Sequence, residues 1–316
     1  SFLQVGREPG TTTEAYEFNG LGWSAINDFN NSRQRSGGIG TVGGAVLFGG
    51  QPGGSPYKSN HTEIYNGTNW SEVNDMIVSQ DHLVGAGASS NAALSFGGID
   101  WPSTLGNTEE WNGTNWTAVN DMINDQYKGG GTGESSEAAI AAGDHSRNDY
   151  TEIWNGTNWT AAAAMSLGRC YNILSGTTND AIVYGGTSTA SHPAQSLVTE
   201  VWNGSSWSTG PNHSVPRNDA GTGTGGNVGA SQGAAMIGSY TGVTTEYYDG
   251  NVSSASFHNI EVTNLTGDGS QFSASLQSQL LTSVTQISNS ISGSFTSGFD
   301  LQGGVSASFG LYGDAW

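Results

Sequence analysis

Thr-Glu-Ile-Tyr-Asn-Gly-Thr-Asn-Trp-Ser, residues 62–71, returns as Thr-Glu-Glu-Trp-Asn-Gly-Thr-Asn-Trp-Thr at 108–117 and as Thr-Glu-Ile-Trp-Asn-Gly-Thr-Asn-Trp-Thr at 151–160. A fourth copy from Thr199 keeps Trp202, Asn203, Gly204 and Trp207. Two further copies are degenerate: 13–23 carries two extra residues before Asn19-Gly20, and 245–252 has Asp249-Gly250 but no second Trp. The turn glycines Gly20, Gly67, Gly113, Gly156, Gly204 and Gly250 are spaced 47, 46, 43, 48 and 46 residues apart. Repeats of that length hold about four short strands each, which is the size of a propeller blade.

Each repeat has two halves. Around Asn-Gly, the Thr-Glu arm and the Trp arm form an expected hairpin, because Asn and Gly suit the positive φ of a tight turn. Between these hairpins lies a second pair of small-residue strands, clearest at 83–98. Its second arm recurs at 44–50 (Gly-Ala-Val-Leu-Phe-Gly-Gly), 138–143, 181–186 and 234–238, with Gly143-Asp144 and Gly238-Ser239 replacing the Gly-Gly doublet. We name the four strands a, b, c and d in chain order. Residues 2–6 align with a b strand, so the first unit begins without an a strand, and a segment within 255–276 is expected to close the ring. The fold class predicted is all-β: a six-bladed propeller of four-stranded blades over 1–265, followed by a Ser/Gly-rich tail at 266–316.

The apolar run ending in Gly-Gly, the aromatic before a turn and the Trp about six residues later together resemble the kelch repeat of galactose-oxidase-like propellers. That resemblance covers residues 1 to about 252 and implies a blade shared by both termini. It also raises copper oxidation, which needs a Cys crosslinked to a Tyr and converging His and Tyr ligands. Here Cys170 adjoins Tyr171 in sequence and the His residues are scattered, so this chemistry is not expected. No cofactor or metal is predicted.

Of the 316 residues, 8 are Lys or Arg and 27 are Asp or Glu, for a net charge of −19. Such a charge disfavours nucleic acid as a partner. No apolar run is long enough to span a bilayer. A single Cys170 leaves no disulfide framework. The start at Ser1, without Met or a charged leader, is what a processed product or a fragment would show.

Tight a–b and c–d turns fall at one end of such a fold, and the b–c and d–a loops at the other. The b–c loops vary in length, and variable loops on a rigid scaffold are where binding concentrates. They carry Tyr57, Lys58 and His61, then Trp101, then His145, Arg147 and Tyr150, then His192. Trp101 belongs to no strand unit, and its flat face can stack on a sugar ring or plug its own blade. Arg35, Arg169 and Arg217 resemble the Arg that precedes strand a in kelch repeats, placed either to bind acidic groups or to hydrogen-bond carbonyls across blades. Glu14, Glu63, Glu109, Glu152, Glu200 and Glu246 recur at one position; that regularity argues for a scaffold role, since catalysis needs an asymmetric pair. Formal glycosylation sequons in the repeat follow from turn Asn plus strand Thr. No catalytic residue is assigned.

In the tail, Leu276, Leu280, Val284, Ile287, Ile291 and Phe295 are spaced 4, 4, 3, 4 and 4. That spacing predicts a helix over 274–290, then β structure over 291–316, with self-association as the way to bury a narrow stripe. The segments at 291–299 and 305–310 look like Ser/Gly/Phe phrases of tailed-phage virion proteins, notably of marine phages, and the Asn-Gly-Thr-Asn-Trp units look like kelch-like proteins from the same source. The expected function is therefore a non-enzymatic protein of a virion surface, a fibre or decoration protein, homo-oligomeric through its tail, partnered by other virion proteins and by a host glycan or surface receptor. A secreted bacterial adhesin or filament subunit is the alternative, and a polysaccharide-active enzyme the third.

Overall fold

The computed structural model describes residues 2–5, 11–18, 23–53, 58–188, 197–212, 234–239 and 242–248, all within one compact unit, Ser1–Val252. The predicted tail and the closing segment lie outside them. Among the described residues every regular element is a strand.

Antiparallel sheets follow one another along the chain, each built from consecutive segments. The second module pairs Gly37–Thr41, Gly44–Phe48, Thr62–Tyr65 and Trp70–Val73 as a, b, c and d. Its order is repeated by the third (Val84–Ser89, Ala92–Phe96, Thr108–Trp111, Trp116–Val119), the fourth (Gly130–Ser135, Ala138–Ala142, Thr151–Trp154, Trp159–Ala161) and the fifth (Cys170–Thr177, Asp180–Thr187, Glu200–Trp202, Trp207–Thr209). The first module has three strands, Phe2–Val5, Ala15–Phe18 and Trp23–Ala25, with Phe2–Val5 in the b position. In the sixth, Ala234–Ser239 pairs with Gly242–Tyr248 as b and c.

The c–d hairpin is wider than the Asn-Gly dipeptide predicts. Tyr65 pairs with Trp70, so the loop is 66–69. Gly67 takes φ +90°, while Asn66 acts through its side chain: its Oδ1 accepts the backbone N–H groups of Thr68 and Asn69, each at 2.9 Å. The Asx turn explains the Asn and the left-handed φ explains the Gly. The b-strand doublet is likewise conformational, with Gly49 at φ +63° and Gly50 at φ +100°. Where Asp144 replaces the second Gly the strand keeps its register, because Asp144 accepts the N–H of Asn148 at 2.9 Å and its amide at 3.0 Å, closing the following turn.

The core is a series of wedges between adjacent modules. Phe48 of strand b meets Trp116 of the next module's strand d edge-on at 4.9 Å, and Phe96 meets Trp159 at 4.8 Å. The c-strand aromatic packs beside its own d-strand Trp, as in Trp111 with Trp116 at 5.5 Å. Burying one such indole contributes on the order of 4 kcal/mol. The polar atoms of these side chains are also used between and within modules. Indole N–H groups of Trp116, Trp159 and Trp207 donate to Thr62, Thr108 and Thr151 of the preceding module at 2.9, 2.9 and 2.8 Å. Indoles of Trp111, Trp154 and Trp202 donate to a–b turn carbonyls of Ser90, Ser136 and Thr178 at 2.8–3.0 Å.

The recurring carboxylates form a second seam between modules. Both oxygens of Glu109 accept backbone N–H groups of Ile77 and Val78, and those of Glu152 accept from Ile123 and Asn124. Glu63 does the same with Asn30 and Asn31 and adds a buried ion pair with Arg33, while Glu200 accepts one backbone N–H, from Ser166, and pairs its other oxygen with buried Arg169. Glu14 does not belong to this row. Trp23 pairs with Phe18 as Trp70 pairs with Tyr65, which puts Ala15 and Tyr16 where Thr62 and Glu63 stand, and leaves Glu14 exposed. The first repeat's two extra residues arise from aligning it on Thr13-Glu14, when Ala15-Tyr16 holds the Thr-Glu position.

Candidate functional site

Loops from b–c and d–a connections meet at one end and enclose a cleft of ≈ 600 Å³, lined by Arg35, Lys58, Asp81, His82, Asp100, Trp101, Tyr127 and Lys128 among others. Trp101 sits at the tip of a short ribbon, Ile99–Asp100 paired with Ser103–Thr104, and is 78% exposed. This ribbon is anchored below by reciprocal backbone bonds between Ile99 and Asp81. Lys58 reaches the carboxylate of Asp100 from the neighbouring b–c loop.

A second contribution comes from a residue at the entry to strand a, two places before it in three modules and its second residue in the fifth. Arg35, His82, Lys128 and Tyr171 occupy the same place in successive modules, and all four have left-handed backbones, φ 59, 52, 61 and 56°. Such a conformation costs a non-Gly residue on the order of 1 kcal/mol, so its recurrence calls for a cause. That cause is a backbone link between modules: His82 N–H donates to Arg35 O at 3.0 Å, and Tyr171 N–H to Lys128 O at 2.6 Å. The turn presents Arg35, His82 and Lys128 to the cleft. The Lys128 ammonium lies 4.9 Å from the ring of Tyr127 and 4.8 Å from that of Tyr171. Nδ1 of His82 stands 3.3 Å from an oxygen of Asp81. The ring of Tyr127 is stacked at 4.3 Å on His145.

The sequence-predicted residues separate accordingly. Trp101 and Arg35 come together in the cleft, with His145 behind Tyr127. His61 lines an adjoining hollow of ≈ 440 Å³ with Asn31 and Lys58. Arg147, at φ 64°, turns the loop after Asp144, to whose carbonyl its N–H donates at 2.9 Å. Tyr57, His192 and Arg217 lie outside the described residues.

Arg169 takes the carbonyl-bonding role of the two expected for it and not the ligand-binding one: it is fully buried, with its guanidinium on Glu200 at 2.6 Å and on the carbonyls of Gly185, Val198 and Leu167, which fixes the d–a connection onto the fifth module. Its counterpart is Arg33, not Arg35. In the third and fourth modules the same position is Gln80 and Gln126, both buried. What the sequence reading missed was His82, Tyr127 and Lys128. For His82 and Lys128 the signal was available in the residue two places after each Arg or Gln; Tyr127, one place after Gln126, had none.

Electrostatics distinguishes the two kinds of seam. Glu63 ionises below the ordinary 4.5: burial opposes this, but the N–H groups of Asn30 and Asn31 and the charge of Arg33 outweigh it. Glu109, with no cation beside it, is pushed above 4.5 by burial despite two N–H donors. Arg33 and Arg169 are lowered by desolvation.

No protein-family model matches the chain, and no curated protein does. Among solved structures, YjhT superposes with a TM-score of 0.60 at 13% identity, over 74% of this chain and 87% of that one. The fold is a β-propeller. At that identity the likeness extends to the fold alone, and the cleft just described is the loop end of the propeller, where strands a enter.

Proposed function

We propose that the chain is a six-bladed propeller whose loop-end cleft binds carbohydrate without turning it over, displayed on a virion surface as part of a fibre or decoration protein. The observation that carries this reading is Trp101, an exposed indole on a ribbon of its own at the rim of a ≈ 600 Å³ cleft. A flat apolar face beside hydrogen-bonding groups is how proteins hold a pyranose ring. Cleft volumes of this order suit a ligand of a few sugar units. Against catalysis stands the use of four of the repeated carboxylates: Glu63, Glu109, Glu152 and Glu200 each accept backbone N–H groups at the entry to their module. The virion setting rests on the Ser/Gly/Phe phrases of the tail, with homo-oligomerisation through that tail; the sixth blade and the closing strand within 255–276 complete the ring.

Binding is tested on glycan arrays with the full chain and with Trp101→Ala; retention of signal by the variant removes the cleft from the reading. Mass spectrometry of purified virions separates a virion protein from a secreted bacterial adhesin. Release of reducing ends from any bound polysaccharide would make the protein an enzyme.

A further inference from the structure

The chain has 8 Lys and Arg against 27 Asp and Glu, so the places where its cations are accessible carry information. Arg33 and Arg169 are locked in buried ion pairs. Arg7 and Arg217 lie outside the described residues. Of the remaining cations, Arg147 belongs to a separate loop, while Arg35, Lys58 and Lys128 all line the one cleft. They come from two d–a turns and one b–c loop, far apart in sequence. Two carboxylates, Asp81 and Asp100, share the cleft; Asp100 is paired with Lys58, and Arg35 donates to the side-chain oxygen of Gln51 at 2.8 Å.

We propose that the cleft selects an anionic saccharide, a sugar bearing carboxylate or sulfate, with the charged group held by Arg35 and Lys128 and the ring on Trp101. This rests on the carbohydrate reading above and narrows it. Opposite charges at short range make charge-assisted hydrogen bonds, and Arg supplies the planar fork that matches a carboxylate or sulfate. The acidic body of the protein does not cancel this. At physiological ionic strength the Debye length is about 8 Å, so a ligand in the cleft responds to the three cations and two carboxylates that line it more than to carboxylates on the far side. The same net charge of −19 disfavours a long polyanion lying across the whole surface. Left-handed backbones at Arg35 and Lys128 fix where these side chains leave the main chain, so the cations are pre-positioned.

The test is titration calorimetry of the full chain with three matched hexasaccharides: neutral, uronate and sulfated. The charged sugars are expected to bind at least tenfold tighter than the neutral one, and the better of the two identifies the group. Arg35→Asn and Lys128→Asn keep a residue that tolerates the left-handed turn and remove the charge. Each is expected to weaken charged-sugar binding about tenfold, and by more than it weakens neutral-sugar binding, and to melt like the parent; Lys58→Gln serves as a third variant should either fail to fold. Equal affinity for neutral and charged sugars, or unchanged affinity in the variants, overturns the inference and leaves carbohydrate binding standing. Binding of none of the three overturns both. An acidic peptide that binds as tightly as the charged sugar overturns the saccharide assignment.

Discussion

Trp70 is the one d-strand indole whose N–H is buried without an acceptor among the described residues. The reason is Ala15, which stands where Thr62, Thr108 and Thr151 supply a hydroxyl to the following module's Trp. Ala15→Thr is expected to raise stability by about 1 kcal/mol, and Thr108→Val, which orphans Trp159, to lower it by about 1–3 kcal/mol; denaturant unfolding with unchanged slope measures both. Glu109 offers a second prediction. Its folded pKa is raised, so it favours the folded state most when protonated, and that contribution is lost as pH climbs through the folded value. Glu63 is the opposite case: its contribution is present above 4.5 and is lost as pH falls through its lower folded value. Gln80→Arg places beside Glu109 the cation that Glu63 has. The variant is expected to gain stability at neutral pH relative to the parent and to lose that gain below pH 4.5, as followed by melting temperature against pH.

At the scale of strands and turns, the repeat contains a pairing that spans modules. Asn27, Asn74 and Asn120, at the exits of successive d strands, donate to the turn carbonyls of Thr68, Thr114 and Thr157 and to Oδ1 of Asn69, Asn115 and Asn158. The fifth module has Ser206 in place of the acceptor Asn, and the fourth has Ala163 in place of the donor, so both halves are missing together. Restoring either alone completes half the contact. Ala163→Asn with Ser206→Asn should show a favourable coupling of roughly 0.5–1 kcal/mol in a double-mutant cycle; strict additivity would mean that the seam between these modules has a different geometry. The Asn pair was visible in the sequence as two repeating letters. Their relation was not, because they lie about 40 residues apart and only the packing of neighbouring sheets brings them together.

For the molecule as a whole, the first sheet decides the next experiment. It holds strands b, c and d, with Phe2–Val5 at its edge. An unpaired edge invites association with other chains. If a segment within 255–276 supplies strand a, a chain ending at 276 should remain soluble and melt as the full chain does, whereas one ending at 252 should aggregate and melt lower. Equal behaviour of the two would place the closing strand elsewhere.

The repeat itself determined the architecture: its period, the Asn-Gly turn, the Gly-Gly doublet and the alternating small and aromatic arms are local requirements of a four-stranded sheet, and each copy states them again. It also pointed to a structural role for the repeated Glu, since a residue that recurs at symmetric positions, as Glu63, Glu109, Glu152 and Glu200 do, has a symmetric task. What only the tertiary structure decided is where the copies differ to effect. Arg33 and Arg35 are two residues apart and chemically alike, yet one is sealed against Glu63 and the other opens on the cleft. The site is assembled from loops of different modules, and no spacing along the chain records a distance set by how blades pack around an axis.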